Sequence, residues 1–300
     1  MRIAYVAKRF PQARVHAFAS RWVRAGHDVA VVADRGASSR DGIRVLRLAS
    51  LASDLRAADV VIAEASPLPW AVSAWALSEL LRVPFVLDVD GAPATASWLR
   101  RRADLVVAGS ATHAEGIVIP DGIDVARCLP APRDVALRDD LGLGDAFVVA
   151  YLGAHPDRVL EAARELDDVR FVVVGTRARA GNVTFVPPPR PERVDRLIAA
   201  ADLVVAFDRE PALDVMARAR PVLFVGRGEA ASIVESSGAG WVVARGDARA
   251  IVDVVREAQA DPAGAWARGE IGRMHVAEHF DRDRLAEAYL AQLHRLAGHA

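Results

Sequence analysis

The chain has 300 residues, of which 52% are hydrophobic and 26% charged, and this composition excludes disordered, collagen-like and coiled-coil proteins. Its 38 basic and 39 acidic residues leave a formal net charge of -1, so no overall positive field gathers nucleic acid. The chain is longer than most domains with a single hydrophobic core, so we expect two domains.

The single cysteine, Cys128, excludes an internal disulfide and is typical of a protein from the reducing cytoplasm. Only five apolar residues separate Arg2 from Lys8, fewer than a secretory signal needs. The apolar stretch from Trp70 to Leu81 contains polar residues and cannot span a bilayer. We therefore expect a cytoplasmic protein whose membrane contact is at most peripheral.

Valine-rich runs without polar alternation recur along the first half and predict parallel strands that are buried on both faces. The predicted strands are Ile3–Ala7, Val29–Ala33, Val60–Ala63, Phe85–Leu87 and Leu105–Ala108, and the helices between them include His16–Ala25 and Trp70–Leu81. This alternation predicts an α/β domain over residues 1–140.

The same alternation restarts after two prolines and a glycine-rich segment, and predicts a second α/β domain over residues 141–278. Its predicted strands are Phe147–Leu152, Phe171–Val174, Leu203–Phe207 and Val222–Val225, and its helices are Asp157–Glu165, Pro191–Ala201 and Pro211–Ala219. A last amphipathic helix is predicted within residues 279–300, with Asp281 as its N-cap and Tyr289 on its apolar stripe. Ligands of such open sheets bind beyond the carboxyl ends of the strands, so a cleft between the halves is the expected site.

Several motifs are missing. The loop after the first strand, Lys8–Arg14, lacks the glycines that bring a backbone close to a dinucleotide pyrophosphate, which argues against a nicotinamide dehydrogenase. His275 and His279 have helical i,i+4 spacing and could bind a metal, but Glu278 is the only nearby acid, and an exposed helix face is the preferred interpretation. We expect neither a metal nor a cofactor.

Two glycine turns in the second half are candidate phosphate sites. Gly153 ends the first strand of that half and is followed by a helix start with Arg158; free N–H groups and a guanidinium suit a phosphate, although an ordinary turn with a solvated arginine explains the pattern equally well. Gly226 and Gly228 form a second turn before a helix.

Two carboxylates, Glu210 and Asp214, lie one helical turn apart after another strand. They could hold sugar or ribose hydroxyls, while Glu210 could equally complement the helix dipole.

The order of these segments resembles the retaining GT-B glycosyltransferases of the group 1 (family 4) type over nearly the whole chain. The segments that carry the resemblance are Ala25–Val29 (AGHDV), Ala103–Ser110 (ADLVVAGS), Val118–Asp124 (VIPDGID), Arg170–Gly175, Ala201–Val205, Met216–Val222, Gly240–Val243 and Phe280–Leu290. The resemblance implies two Rossmann-like domains facing across a cleft, with the C-terminal helix returning to the N-terminal domain.

The resemblance also implies the chemistry: transfer of a sugar, with retention, from a nucleotide-diphosphate sugar to an unidentified glycan, lipid or small-molecule acceptor, without an obligatory metal. The donor is expected on the C-terminal domain and the acceptor on the N-terminal one, where His16 could meet Asp90. The implied catalytic residues are Asp90, Arg158, Glu210 and Asp214, and the implied donor-binding residues are Gly153, His155, Thr176, Arg177, Gly226, Gly228 and Ser232.

This sequence departs from the family pattern at its acidic motif. Asp214 stands where a glutamate is usual, Ala206 occupies the partner position, and Ala154 and Ser232 replace a basic residue and a glutamate. These changes keep two rivals open: a catalytically degenerate relative that binds a nucleotide sugar or a partner enzyme, and a nucleotide-sugar 2-epimerase, which would need histidine and carboxylate acid–base groups.

Overall fold

Apolar, valine-rich runs form the central strands of the structure, a computed structural model that describes residues 1–36, 39–47, 55–89, 97–110, 116–153, 156–174, 179–188 and 190–298. The chain divides into two units: unit 1 comprises Met1–Gly122 and Arg282–Ala300, and unit 2 comprises Ile123–Asp281.

Unit 1 contains a sheet that is parallel except at one edge. Its elements are β1 (Arg2–Phe10), α1 (Ala13–Arg24), β2 (Asp28–Gly36), β3 (Ser39–Arg40), β4 (Ile43–Leu46), β5 (Val60–Glu64), α2 (Leu68–Leu81), β6 (Phe85–Val89), α3 (Ser97–Arg100), β7 (Leu105–Ala108) and β8 (Ile117–Val118). The strand order is β3-β4-β2-β1-β5-β6-β7-β8, with β3 antiparallel to β4. Because β1 lies between β2 and β5, the winding of the chain reverses beside β1.

Unit 2 repeats this arrangement. Its elements are α4 (Val135–Leu141), β9 (Phe147–Tyr151), α5 (Asp157–Ala163), β10 (Val169–Val174), β11 (Arg179–Ala180), β12 (Val183–Val186), α6 (Pro191–Ala200), β13 (Leu203–Ala206), α7 (Arg209–Ala217), β14 (Val222–Val225), α8 (Glu229–Ser237), β15 (Gly240–Val243), α9 (Ala248–Ala260) and α10 (Pro262–His279). The strand order is β11-β12-β10-β9-β13-β14-β15, and the reversal falls between β9 and β13.

The strands are buried because helices cover both faces of each sheet. In unit 2, Val148 and Ala150 of β9 belong to one apolar cluster, while the alternate residues Val149 and Tyr151 belong to another. Burial on both faces explains why these strands read as continuous apolar runs.

The boundary between the units differs from the predicted one at residue 140. Ile123, Cys128 and Leu137 are buried in the same cluster as α7 of unit 2. The Ile123 N–H also donates to the Phe280 carbonyl at 2.7 Å, which ties the two ends of unit 2 together. These three buried side chains therefore attach the segment before residue 140 to the second core.

The terminal helix α11 (Arg282–Ala297) packs in unit 1, as predicted. The Tyr289 ring lies edge-on to the Trp22 ring of α1, with centroids 5.2 Å apart, and the Trp22 indole donates to the Ala286 carbonyl at 3.0 Å. Among the residues described, no helix is both long and apolar enough to cross a bilayer.

Candidate functional site

The carboxyl edge of the unit 2 sheet carries the first candidate site, because the winding reverses there between β9 and β13. Gly153 lies two residues beyond the end of β9. A Cβ at this position would collide with the Tyr151 side chain, whose ring lies 5.3 Å from the Phe207 ring. A larger residue at this position would therefore have to displace the tyrosine ring.

The turn between β14 and α8 forms the next part of this edge. Gly228 is the N-cap of α8 at φ +89, a conformation that favours glycine, and its carbonyl accepts the Ser232 N–H at 3.0 Å. Gly226 is buried, and a Cβ there would lie 3.0 Å from the Phe224 ring. Ser232 itself is exposed on α8. The turn thus leaves the first N–H groups of α8 open at the edge of the sheet.

An ion pair joins this turn to the neighbouring one. Arg209, the first residue of α7, lies with its Nη1 3.3 Å from Glu229 Oε2 in the first turn of α8. Arg209 was not among the residues predicted from sequence, although its position two residues after a predicted strand was the available signal. Arg227, between the two glycines, adds an exposed arginine at the same edge.

Arg158 lies in the first turn of α5, at the same carboxyl edge. Its guanidinium is half exposed and pairs with Glu161 at 2.5 Å. The predicted phosphate contact therefore requires this arginine to exchange an exposed local carboxylate for the ligand.

Glu210 and Asp214 both lie on α7 but differ in surroundings. Glu210 is exposed in the first helical turn. Asp214 pairs with Arg218 at 2.8 Å and lies 3.6 Å from the Cys128 sulfur. Burial raises the pKa of the Cys128 thiol to about 11. Arg218, the second-largest effect, lowers this pKa, and Asp214 raises it further.

Four predicted site residues, Asp90, His155, Thr176 and Arg177, lie outside the described residues. His16, the predicted companion of Asp90, pairs with Asp41 at 2.6 Å.

Unit 1 contains a buried ionic cluster that the sequence analysis missed. Asp88 on β6 accepts hydrogen bonds from Arg14 Nε at 3.1 Å and from the Tyr5 hydroxyl at 2.7 Å. Arg14 also donates to Asp121 at 2.7 Å, and the Tyr289 hydroxyl lies 3.4 Å from Asp88. The available signals were a lone acid inside an apolar strand and an arginine on the apolar face of a helix.

Burial and charge act together on this cluster. Burial, and after it the Asp88 carboxylate, raises the pKa of Tyr5 well above its usual value, and the pKa of Tyr289 rises for the same two reasons. Burial, the largest single effect, lowers the pKa of Arg14, but Asp88, Tyr5, Asp121 and Tyr289 together outweigh it and the pKa is raised. The tyrosines therefore stay neutral donors while the arginine stays charged.

Beside the cluster lies a cavity of about 360 Å³, at the carboxyl edge where the winding of unit 1 reverses. Its lining residues are Lys8, Arg9, Gln12, Arg14, Glu64, Ala65, Ser66 and Asp88. A polar cavity at this edge is the usual place for a ligand in an open α/β sheet.

Within the described part of the chain, no group of three or more histidine, cysteine or acidic side chains could hold a metal ion. The His275 and His279 rings lie 4.6 Å apart on α10, and burial, then the neighbouring histidine, lowers the pKa of His275.

Comparison with known proteins gives one curated relative and many similar structures. No protein-family profile matches the chain. The D-inositol 3-phosphate glycosyltransferase of Nocardia farcinica (strain IFM 10152) is 28% identical over 188 residues, which cover 47% of this chain and 42% of the relative. The match thus spans less than half of that relative's length.

The structural likeness extends over nearly the entire chain. Anabaena HepE in complex with UDP has a TM-score of 0.79 at 18% identity, covering 98% of this chain and 100% of that one. A glycosyltransferase from Rickettsia africae ESF-5 has a TM-score of 0.79 at 13% identity, and sucrose-phosphate synthase from Thermosynechococcus elongatus has 0.68 at 16%; each covers 98% of both chains. The chain therefore has the GT-B fold, which confirms the predicted fold.

Proposed function

We propose that this protein is a retaining glycosyltransferase of the family 4 type, which transfers a sugar from a nucleotide-diphosphate sugar to an acceptor. The supporting observation is the carboxyl edge of the unit 2 sheet, where two glycine turns and the open N-terminus of α8 converge at the reversal of winding. The fold likeness to HepE in complex with UDP adds to this argument.

The donor diphosphate is assigned to this edge of unit 2. Its leaving group gains negative charge as the glycosidic bond breaks, and preorganised N–H donors and guanidinium groups lower the barrier by stabilising that charge. The α8 N–H groups and Arg158 supply these donors, and Arg227 adds an exposed guanidinium at the same edge. The proposed reaction uses no obligatory metal, as the family resemblance implies.

The remaining site residues keep the roles that the family resemblance implies. Glu210 and Asp214 hold hydroxyl groups of the donor sugar, and Ser232 contributes to donor binding. The residues outside the described part are assigned likewise: His155, Thr176 and Arg177 to the donor nucleotide, and Asp90 to the acceptor side on unit 1. The reaction is assigned to the cytoplasm, in keeping with the single thiol of Cys128.

A catalytically degenerate protein is the second candidate, and the surroundings of Asp214 favour it. This carboxylate is already paired with Arg218 at 2.8 Å, and the partner position of the family motif is Ala206, a buried residue at the end of β13. Such a protein would bind the donor without turnover.

Incubation with UDP-, GDP-, ADP- and dTDP-sugars separates the two candidates. Release of the nucleotide from at least one donor, with or without an added acceptor, supports the enzyme, and NMR of the transferred sugar reads whether its anomeric configuration is retained. Calorimetric binding without release supports the degenerate protein. If no donor binds, both candidates are wrong.

A further inference from the structure

We propose that the acceptor bound by unit 1 carries an oxyanion, a phosphate or a carboxylate, beside a free hydroxyl group. The proposal deepens the function proposed above, since it names the chemical class of the acceptor. It is carried by the 360 Å³ cavity next to β1 and by the hydrogen-bonding groups that this cavity leaves unmatched.

The acidic groups of the cavity are already engaged. Asp88 accepts hydrogen bonds from Arg14 and Tyr5, and Glu64 Oε2 accepts the backbone N–H of Lys8 at 2.8 Å. Both carboxylates already accept hydrogen bonds from the protein, so the cavity is poorly suited to a cationic ligand.

The basic groups are not engaged in the same way. With the residues that the structure describes, neither the Lys8 ammonium nor the Arg9 guanidinium forms an ion pair, although both line the cavity. Arg14 is 3% exposed, and its Nη2 has no hydrogen-bond partner within the described part of the chain, whereas its Nε and Nη1 are bonded. Three unmatched donors call for a ligand that supplies acceptor oxygens.

The N-terminus of α1 also favours an anionic ligand in this cavity. Gln12 is the N-cap of this 12-residue helix but makes no side-chain capping bond, and its first turn contains no acidic residue. The positive end of the helix dipole is therefore not compensated locally, which favours an anion there. The buried Gln12 Oε1 has no donor among the described residues and suits a ligand hydroxyl.

Lys8 is the only lysine of the chain, and this permits a direct test. Reductive methylation with ¹³C-formaldehyde labels Lys8 and the α-amino group, keeps both charges, and Lys8→Gln identifies the lysine signal. Glucose 6-phosphate and glucuronate should shift the Lys8 signal saturably, whereas glucose, and sodium chloride at matched ionic strength, should not. If neither anionic sugar shifts it, the proposal is wrong; a shift with only one identifies the oxyanion.

Calorimetry on variants tests the same site without a label. Lys8→Gln and Arg9→Gln should each weaken binding of the anionic sugar by about tenfold, as loss of a charge-assisted hydrogen bond predicts. Arg101→Gln is the matched control, because Arg101 is exposed and precedes β7 at the opposite edge of the sheet. Equal weakening in the control would show a nonspecific charge effect and overturn the proposal.

A UDP titration distinguishes this proposal from the proposed function. Lys8→Gln should bind UDP as the wild type does, because the donor is assigned to unit 2. If UDP binding weakens as much as anionic-sugar binding, the cavity serves the donor, and the acceptor proposal falls while the glycosyltransferase stands. If the wild type binds no nucleotide yet its Lys8 signal responds to the anionic sugar, the proposed function falls and the oxyanion site stands.

Discussion

Asp88 shows at the residue scale how one buried charge organises its surroundings. Its carboxylate is 1% exposed and binds an arginine, with a tyrosine from β1 as a further donor. We expect Asp88→Asn to lower the free energy of unfolding by about 3–5 kcal/mol, because it leaves the Arg14 guanidinium buried with its main partner removed.

Urea unfolding measures this loss. The matched variant Tyr5→Phe removes one hydrogen bond to the same carboxylate and should cost less, about 1.5–3 kcal/mol. An Asp88→Asn protein as stable as the wild type would mean that Arg14 does not need Asp88 as a counter-charge beside Asp121.

Cys128 is a second residue whose surroundings predict a measurable property. Its pKa of about 11 keeps the thiol protonated below pH 9, so iodoacetamide should modify the native protein slowly at pH 8 and faster as the pH approaches 11. Because the folded pKa is the raised one, the stability linked to this group is complete below pH 9 and is lost as the pH rises through 11. Mass spectrometry follows the modification, and a native rate equal to that in urea would contradict the burial.

Arg158 is the residue on which the donor site can be tested most simply. Arg158→Ala should weaken UDP binding by about tenfold, since it removes a charge-assisted hydrogen bond to the diphosphate. Arg164→Ala is the control, because Arg164 is an exposed arginine at the other end of α5. Calorimetry showing unchanged affinity in Arg158→Ala would remove this residue from the site.

At the scale of elements, α10 depends on a glycine for its packing. A Cβ at Gly269 would overlap the carbonyl of Ala219, in the turn between α7 and β14, and backbone atoms cannot rotate away. Gly269→Ala should therefore destabilise the protein by about 1–3 kcal/mol through overpacking, against a gain of about 1 kcal/mol in helix propensity.

Thermal unfolding of two variants separates these effects. Ala267→Gly, at an exposed position of α10, measures the propensity effect alone. If Gly269→Ala is more stable than the wild type by the amount that Ala267→Gly loses, helix propensity decides and the close approach is unimportant.

The elements also show what a sequence pattern can predict. Continuous apolar runs such as Phe171–Val174 predicted the central strands because burial on both faces leaves no polar positions. The strands β4 and β12, each next to a two-residue edge strand, went unpredicted, since each is short and carries a polar residue, Arg44 or Thr184, at a less buried position.

The glycine turns of the candidate site were also visible as a local sequence pattern. Gly153, Gly226 and Gly228 were predictable because tight turns after strands restrict residue type locally. The pairing of Arg14 with Asp88 was not predictable, because 74 residues separate them and no local pattern connects the two. The division into units differs from the predicted bounds for a related reason, since the burial of Cys128 depends on distant partners.

At the scale of the whole molecule, unit 1 is assembled from both ends of the chain. Tyr289 of α11 is fully buried against Phe18 and Trp22 of α1. Tyr289→Ala should destabilise unit 1 by about 3–5 kcal/mol, as truncation of a large buried side chain does, and leave unit 2 unchanged.

Hydrogen exchange reads the two units separately. Amide protection should fall in β1 and persist in β9, since these strands belong to different units. Glu287→Ala, at an exposed position of α11, is the control. Equal loss of protection in both strands would show that the units unfold together.

Because unit 1 contains residues from two distant parts of the chain, its folding depends on a segment that is synthesised late. A ribosome delivers all of residues 123–281 before Tyr289 emerges, so the later-made unit can complete its core first. Until then the indole of Trp22 lacks the carbonyl it donates to, and the apolar face of α1 is uncovered in the nascent polypeptide. Completion of the unit 1 core therefore has to wait for the segment that carries Tyr289.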